Sequence, residues 1–263
     1  MPVVLTALAL LGLAVGSFLN VVAYRLPAGQ SLLAPGSHCP RCEHPVRPWH
    51  NVPVLGWLML RGRCADCRSP ISPRYLVVEL ATCSLFVALA IQLLRMHQRW
   101  ALPGFLYFAA IAIALALIDL DTHRLPNTIV LPSYLVLGLA LTLAAALADS
   151  PAALVRALIG GMALYGLYFI VAWCYPKGMG FGDVKLAGLI GGVLGYLSFS
   201  ALLVGAFAGF VLGGLYATAA LTLRRADRNT AVPYGPFMLL GAFVAIFASS
   251  PIAELYTTTA FGG

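Results

Sequence analysis

Eight stretches of nearly uninterrupted apolar residues, most of them close to the length that crosses a lipid bilayer, constrain this chain more than any other feature. A hydrocarbon layer of ~30 Å needs about 20 helical residues. Runs of this kind can be placed at 2–24, 76–94, 102–118, 129–148, 152–174, 186–200, 201–222 and 236–252. In lipid a backbone must satisfy its own hydrogen bonds, and a helix does so within one segment. The expected fold class is therefore all-α, a polytopic membrane protein of about eight transmembrane helices. Composition agrees: 61% of the residues are hydrophobic and only 10% charged, whereas a soluble domain is roughly a quarter charged. A water-soluble globule is excluded.

The run 2–24 lacks a basic start and closes on Asn20 and Tyr24-Arg25 rather than on a small-residue cleavage site, so it reads as a retained helix rather than a secretory signal. No clear breaker separates the sixth run from the seventh. Their glycines, Gly188, Gly191, Gly192, Gly195, Gly205, Gly209, Gly213 and Gly214, read as sites of close helix packing. No low-complexity stretch or short-period repeat is expected.

The net charge of +7 could suggest nucleic acid, but the basic residues sit at the ends of apolar runs, where they set topology. Odd-numbered connections carry Arg25, Arg41, Arg47, Arg61, Arg63, Arg68, Arg74, Arg124, Lys177, Lys185, Arg224, Arg225 and Arg228, leaving Arg95, Arg99 and Arg156 for the other side. By the positive-inside rule both termini face outward. The 25–75 loop and the connections holding Asp119–Asn127, Lys177–Lys185 and Arg224–Pro236 are then cytoplasmic. No nucleic-acid partner is expected.

Ionisable groups at membrane depth are costly, and one that is kept there is a functional hypothesis. Asp119 and Asp121 close the third run, before the helix-breaking Thr122-His123-Arg124-Leu125-Pro126-Asn127, while Asp183 follows Gly180-Phe181-Gly182 just ahead of the sixth run. A lone aspartate at a helix end usually serves the macrodipole or a neighbouring arginine. Here a second carboxylate is expected on the same membrane face, and glycines beside Asp183 let backbone approach a substrate. A carboxylate pair is what peptide hydrolysis without a metal requires: one ionised group deprotonates water and a protonated partner donates to the carbonyl oxygen. Spacing alone does not choose between Asp119 and Asp121, which point in different directions on a helix. Glu79 lies inside the second run near the same face, as a proton relay, a substrate contact or the partner of a loop arginine.

Four of the six cysteines form Cys39-x-x-Cys42 and Cys64-x-x-Cys67, 21 residues apart, the spacing of a structural zinc site closed by four thiolates. The competing readings, two disulfides or free thiols, are disfavoured in a reducing compartment. His38, His44 and His50 read as loop histidines, since four cysteines fill the shell. Cys83 and Cys174 read as small apolar side chains within helices.

The ordered set of motifs resembles the type IV prepilin peptidases, membrane aspartyl proteases with a Gly-x-Gly-Asp motif. It comprises Gly16-Ser17-Phe18-Leu19-Asn20-Val21-Val22 with Arg25-Leu26-Pro27, Cys39-Pro40-Arg41-Cys42, Arg47-Pro48-Trp49 and Asn51-Val52-Pro53. It continues through Tyr75-Leu76-Val77-Val78-Glu79-Leu80, Ile118-Asp119-Leu120-Asp121 with Leu125-Pro126-Asn127, Gly180-Phe181-Gly182-Asp183-Val184-Lys185 and Val232-Pro233-Tyr234-Gly235-Pro236-Phe237. The resemblance implies Asp119 and Asp183 as the catalytic pair, because the family's first aspartate lies seven residues before a proline, here Pro126. Asp121, Gly180, Gly182, Lys185 and Glu79 would be auxiliary.

The resemblance also implies an inner-membrane enzyme with periplasmic termini that cleaves the leaders of type IV prepilins and type II secretion pseudopilins. It then N-methylates the new terminal residue using S-adenosylmethionine. Three parts follow: residues 1–24 as the first helix, 25–75 as a cytoplasmic four-cysteine zinc domain associated with methyl transfer, and 76–263 as the membrane-embedded peptidase. No glycine-rich nucleotide loop after a strand accompanies the methyltransferase expectation. Two other classes stay open: a proton-coupled transporter, which would keep polar groups near the bilayer midplane, and a catalytically silent assembly factor.

Overall fold

A computed structural model describes residues 1–176, 179–223 and 233–261, the last stretch with side chains through 249. Lys177, Gly178, Arg224, Arg225, Arg228 and Val232, which entered the loop-charge count and the motifs, lie outside the described residues. The helices are α1 (Pro2–Arg25), α2 (Leu55–Met59), α3 (Arg74–Arg95), α4 (Leu102–Thr122), α5 (Asn127–Leu147), α6 (Pro151–Cys174), α7 (Phe181–Leu197), α8 (Phe199–Thr222) and α9 (Gly235–Phe261). Eight of these follow the eight apolar runs. The five-residue α2 lies in the 25–75 loop after a 3-10 turn at Pro48–Asn51, and the only β pairing among the described residues is two isolated bridges.

Six helices, α1, α3, α4, α5, α6 and α8, are long and apolar enough to cross a membrane, which makes this a multi-pass membrane protein. Helix α7, at 17 residues, extends about 25 Å and is the most enclosed element: from Leu186 to Leu197 every residue but Gly192 is buried. It is apolar on all sides because it is surrounded by protein.

Two boundaries differ from the sequence reading. The sixth helix starts at Phe181 rather than 186, so Asp183 lies in its first turn and not ahead of it. The Gly-Phe-Gly stretch reads as a breaker, yet Asp183 Oδ2 reaches back to accept the Gly180 N–H at 3.2 Å, satisfying a donor that a helix start otherwise leaves open. The missing breaker between the sixth and seventh runs is Ser198: its backbone is extended and its Oγ accepts the Ala201 N–H at 3.0 Å, an N-cap that ends one helix and begins the next.

Glycines set the helix pairing. Cβ atoms on Gly12 or Gly16 would fall 2.7 and 2.8 Å from the Cα atoms of Cys83 and Glu79, so α1 lies directly against the α3 backbone. Gly160 of α6 and Gly191 of α7 each face the other's carbonyl too closely for any side chain. Gly241 of α9 meets the Gly205 carbonyl and the Gly209 backbone of α8 in the same way. Close backbone approach of this kind gives apolar helices dispersion contacts that lipid cannot match. Gly191→Leu is therefore expected to force α6 and α7 apart, at a cost of about 3 kcal/mol or more, read as a lower unfolding temperature in detergent with Gly214→Leu as the control, since Gly214 faces open space. Cys83 is half-buried, whereas Cys174 is exposed at the end of α6.

Candidate functional site

The C-terminal end of α4 and the N-terminal end of α7 lie at the same end of the bundle, linked through Leu125 and the start of α9. Helix α4 runs to Thr122 and stops where His123 takes a left-handed conformation (φ 52°), after which Leu125-Pro126 leads into α5. Asp119 sits in the last turn of α4, only 4% exposed, and its Oδ2 accepts the Gly235 N–H at 3.1 Å. Asp183 in the first turn of α7 is close enough to feel the charge of Asp119. Leu125 links the two sides, since a Cβ on Gly182 would fall 3.1 Å from its Cβ and one on Gly235 would fall 3.4 Å from its Cδ2.

Asp119 and Asp121 are separated by their surroundings. Asp121 is exposed and forms an ion pair with Arg74 at 2.7 Å, tying the end of α4 to the start of α3, while Asp119 faces inward. Lys185 is turned aside from both inward aspartates: its Nζ donates to Asn127 Oδ1 at 2.9 Å and lies 5.1 Å from the Phe181 ring centre. Tyr134 donates to the Lys185 carbonyl. Gly180 and Gly182 flank Phe181 at the mouth of the site.

Three residues beside the aspartates escaped the sequence reading as site members. Tyr168 of α6 and Tyr234, the residue before Gly235, have hydroxyls 3.4 Å apart. Gly235 presents the N–H that holds Asp119, and a Cβ there would fall 2.8 Å from Asp119 Oδ2. Tyr234-Gly235 carried a signal as part of a motif, but mid-helix Tyr168 carried none.

The four cysteines Cys39, Cys42, Cys64 and Cys67 gather with all their sulfurs within 4.8 Å of one another. Cys39 and Cys67 lie 3.8 Å apart and Cys42 and Cys64 3.9 Å apart. Four thiolates at ~2.3 Å around a tetrahedral ion would be separated by about 3.8 Å, so the donor set fits such a metal. Two matched turns build it. Glu43 N–H donates to Cys39 O and Arg68 N–H to Cys64 O, at 2.9 and 3.2 Å. Cys39 N–H donates to His44 O and Cys64 N–H to Ser69 O, at 3.0 and 2.8 Å. Glu43 and Arg68 take the same positive φ, 58° and 60°, and the bridges His38–Pro45 and Arg63–Pro70 close both turns. The pattern Cys-x-x-Cys-x-x-Pro thus occurs twice, a short internal repeat where none was expected. Backbone hydrogen bonds from Arg41 and Cys42 hold the Cys39 thiol down to about 6 and hydrogen bonds to Ser69 lower that of Cys67, whereas, against a backbone hydrogen bond from His44, burial and the three neighbouring sulfurs push the Cys42 thiol up to about 12. His38 and His44 pair with the carbonyls of Gly36 and Cys42, outside the cluster.

Glu79, 6% exposed, accepts the Val54 N–H at 2.7 Å. Val54 is a β-branched residue with φ 63°, a conformation that persists only where its surroundings impose it. Trp57 Nε1 donates to Ile71 O at 3.3 Å, and Asn20 donates to the Gly16 and Tyr75 carbonyls, both at 3.3 Å. The Val54–Glu79 bond fastens the four-cysteine loop to α3, and Arg25, donating to the Ser31 and Gly36 carbonyls at 3.1 and 3.4 Å, fastens it to α1, at the membrane end that also holds Asp119.

Comparison with known proteins agrees with this arrangement. A model described as the bacterial peptidase A24 N-terminal domain matches residues 10–93, and one described as the type IV leader peptidase family matches residues 106–218. A protein of Stutzerimonas stutzeri named prepilin leader peptidase/N-methyltransferase is 34% identical, covering 94% of this chain and 91% of its own length. Proteins of the same name from Pseudomonas aeruginosa and Burkholderia pseudomallei (strain 1026b) are 34% and 35% identical, covering 94% and 92% of this chain. No solved structure matches. With relatives of this identity along nearly its whole length, the chain belongs to the type IV leader peptidase family.

Proposed function

We propose that the protein is an intramembrane aspartic endopeptidase that removes the leader from type IV prepilins and type II secretion pseudopilins, and that it N-methylates the new terminus. The observation that supports the reading is that Asp119 and Asp183, from helices distant in sequence, lie at one end of the bundle, near enough for the charge of one to act on the other. Two carboxylates within reach of each other titrate as a pair. One carboxylate takes a proton from water as its oxygen attacks the scissile carbonyl, and the partner carboxyl protonates the carbonyl oxygen. Collapse of the tetrahedral intermediate breaks the C–N bond, and the amine leaves with a proton from the pair. The Gly235 N–H fixes the Asp119 carboxylate, while Tyr168 and Tyr234 supply hydroxyls beside Asp183. Buried acids crowd this end of the bundle rather than its middle, which favours hydrolysis at a bilayer edge over midplane transport.

The location that suits this chemistry is the bacterial inner membrane, with Asp119 and Asp183 at the cytoplasmic face and both termini in the periplasm. The cluster of Cys39, Cys42, Cys64 and Cys67 would hold Zn²⁺, whose role there is to fold the loop. The division of the chain is then 1–24 as first helix, 25–75 as zinc module tied to methyl transfer, and 76–263 as peptidase. S-adenosylmethionine is the methyl donor on the strength of the family. The described residues carry no glycine loop after a strand, and no step is assigned to the donor.

The test is to incubate the purified protein with a prepilin, with and without S-adenosylmethionine, and to weigh the products. The expected result is leader loss in both samples and one added methyl group only with the donor; an uncut prepilin would overturn the reading. Gly235→Ala is expected to keep the fold but push Asp119 off its N–H donor, lowering the cleavage rate about tenfold to a hundredfold, measured by the same mass assay.

A further inference from the structure

The zinc module carries positive charge that its own acids do not balance. Arg61, Arg63 and Arg68, with Met59 and Leu60, line a concavity of about 610 Å³. The ion pairs formed among the described residues are Arg47–Asp66 and Arg74–Asp121, and neither includes these three arginines. Backbone geometry brings them together: Arg61, Gly62 and Arg68 all take positive φ, 51°, 66° and 60°. Ile71 N–H donates to Gly62 O at 2.7 Å, closing a hairpin whose two arms hold Arg61 and Arg63 on one side and Arg68 on the other.

The concavity adjoins an apolar surface. Leu55, Leu58 and Met59 of α2 are all more than half exposed, and Met59 belongs to both features. The Val54–Glu79 hydrogen bond hangs the start of α2 from the second turn of α3, a helix able to span the membrane. That bond ties α2 and the hairpin after it to the end of α3 where a spanning helix leaves the hydrocarbon, the depth of lipid headgroups.

We infer that this concavity binds the phosphate of an anionic phospholipid, with the acyl chain lying along Leu58 and Met59. Guanidinium groups match phosphate oxygens with paired hydrogen bonds, and basic clusters next to a transmembrane helix draw anionic lipid. A free phosphate would use the arginines and have no use for the apolar flank, which is why the lipid is the occupant. The site is separate from the aspartates, so it stands or falls independently of the cleavage reading.

Its test is native mass spectrometry of the full-length protein released from nanodiscs of phosphatidylcholine containing phosphatidylglycerol, scored for retained phosphatidylglycerol and for zinc. The unaltered protein is expected to retain the anionic lipid. The triple variant R61Q/R63Q/R68Q is expected to retain about a hundredfold less, near the sum for three basic residues at a charged surface, while keeping its zinc. Arg61→Gln alone, the substitution farthest from a cysteine, is expected to show a partial loss, and R95Q/R99Q no loss. Full lipid retention by the triple variant would overturn the site. Loss of zinc together with the lipid in both the triple variant and Arg61→Gln would assign the arginines to the metal centre instead. Binding of millimolar inorganic phosphate in pure phosphatidylcholine nanodiscs, at the same arginines, would overturn the lipid as occupant.

Discussion

Asp183→Asn is expected to abolish leader cleavage, a loss of roughly 10²–10⁴-fold or beyond detection, while the protein stays folded in the membrane. The amide keeps an oxygen that can accept the Gly180 N–H, so the helix start seen at 3.2 Å survives while the proton-transfer group is lost. Asp119→Asn is expected to behave alike, because its amide oxygen can still accept from Gly235. Asp121→Asn provides the contrast. It removes an ion pair with Arg74 whose side chains are 41% and 44% exposed, an interaction worth about 0–1 kcal/mol, so cleavage is expected to stay within a few-fold of the unaltered rate. The check is a time course of prepilin cleavage by the three variants, reconstituted at equal amounts. Full activity in Asp119→Asn or Asp183→Asn would refute the pair, and loss of activity in Asp121→Asn would move the chemistry outward.

Cys64→Ser is expected to release the metal, unfold the loop and abolish methyl transfer while leaving leader cleavage in place. The loop has little core of its own, its buried apolar side chains being Cys39 and Cys64 themselves, so a metal would supply most of its folding free energy, about 10–16 kcal/mol for structural zinc. Helices α6 to α9 do not rest on it: α6 with α7 and α8 with α9 are held by glycine contacts of their own. The measurements are zinc content, protease sensitivity of residues 25–75, and product mass with the methyl donor present. Loss of cleavage together with methylation would show that the loop is a support for the whole enzyme, through the Val54–Glu79, Arg25–Ser31 and Arg25–Gly36 hydrogen bonds.

The helix count and the two ends of the site were legible because lipid enforces them. Apolar length reports a span almost regardless of tertiary context, and an acid near a span is conspicuous by its cost. The four cysteines were legible from spacing, but the matched turns that build the cluster were not, since they depend on left-handed backbone at Glu43 and Arg68, residues with no strong preference for it. The start of α7 was misplaced because glycines next to Asp183 look like loop residues when the reach-back hydrogen bond is unseen. The choice between Asp119 and Asp121 was beyond spacing: it depends on Arg74, 47 positions from Asp121, and on Gly235, 116 positions from Asp119. Tyr168 was hidden for the same reason, as one aromatic among many in an apolar helix.

If Asp119 and Asp183 grip one peptide bond, both must contribute to binding its tetrahedral intermediate. Transition-state analogues bind 10²–10⁸-fold more tightly than substrates, so the most direct test is the affinity of a prepilin peptide carrying a hydroxyethylene group in place of the scissile amide. Tight binding to the unaltered protein is expected, with a similar loss, about a hundredfold or more, in Asp119→Asn and in Asp183→Asn. Unchanged affinity in either variant would show that the two carboxylates do not act on the same bond.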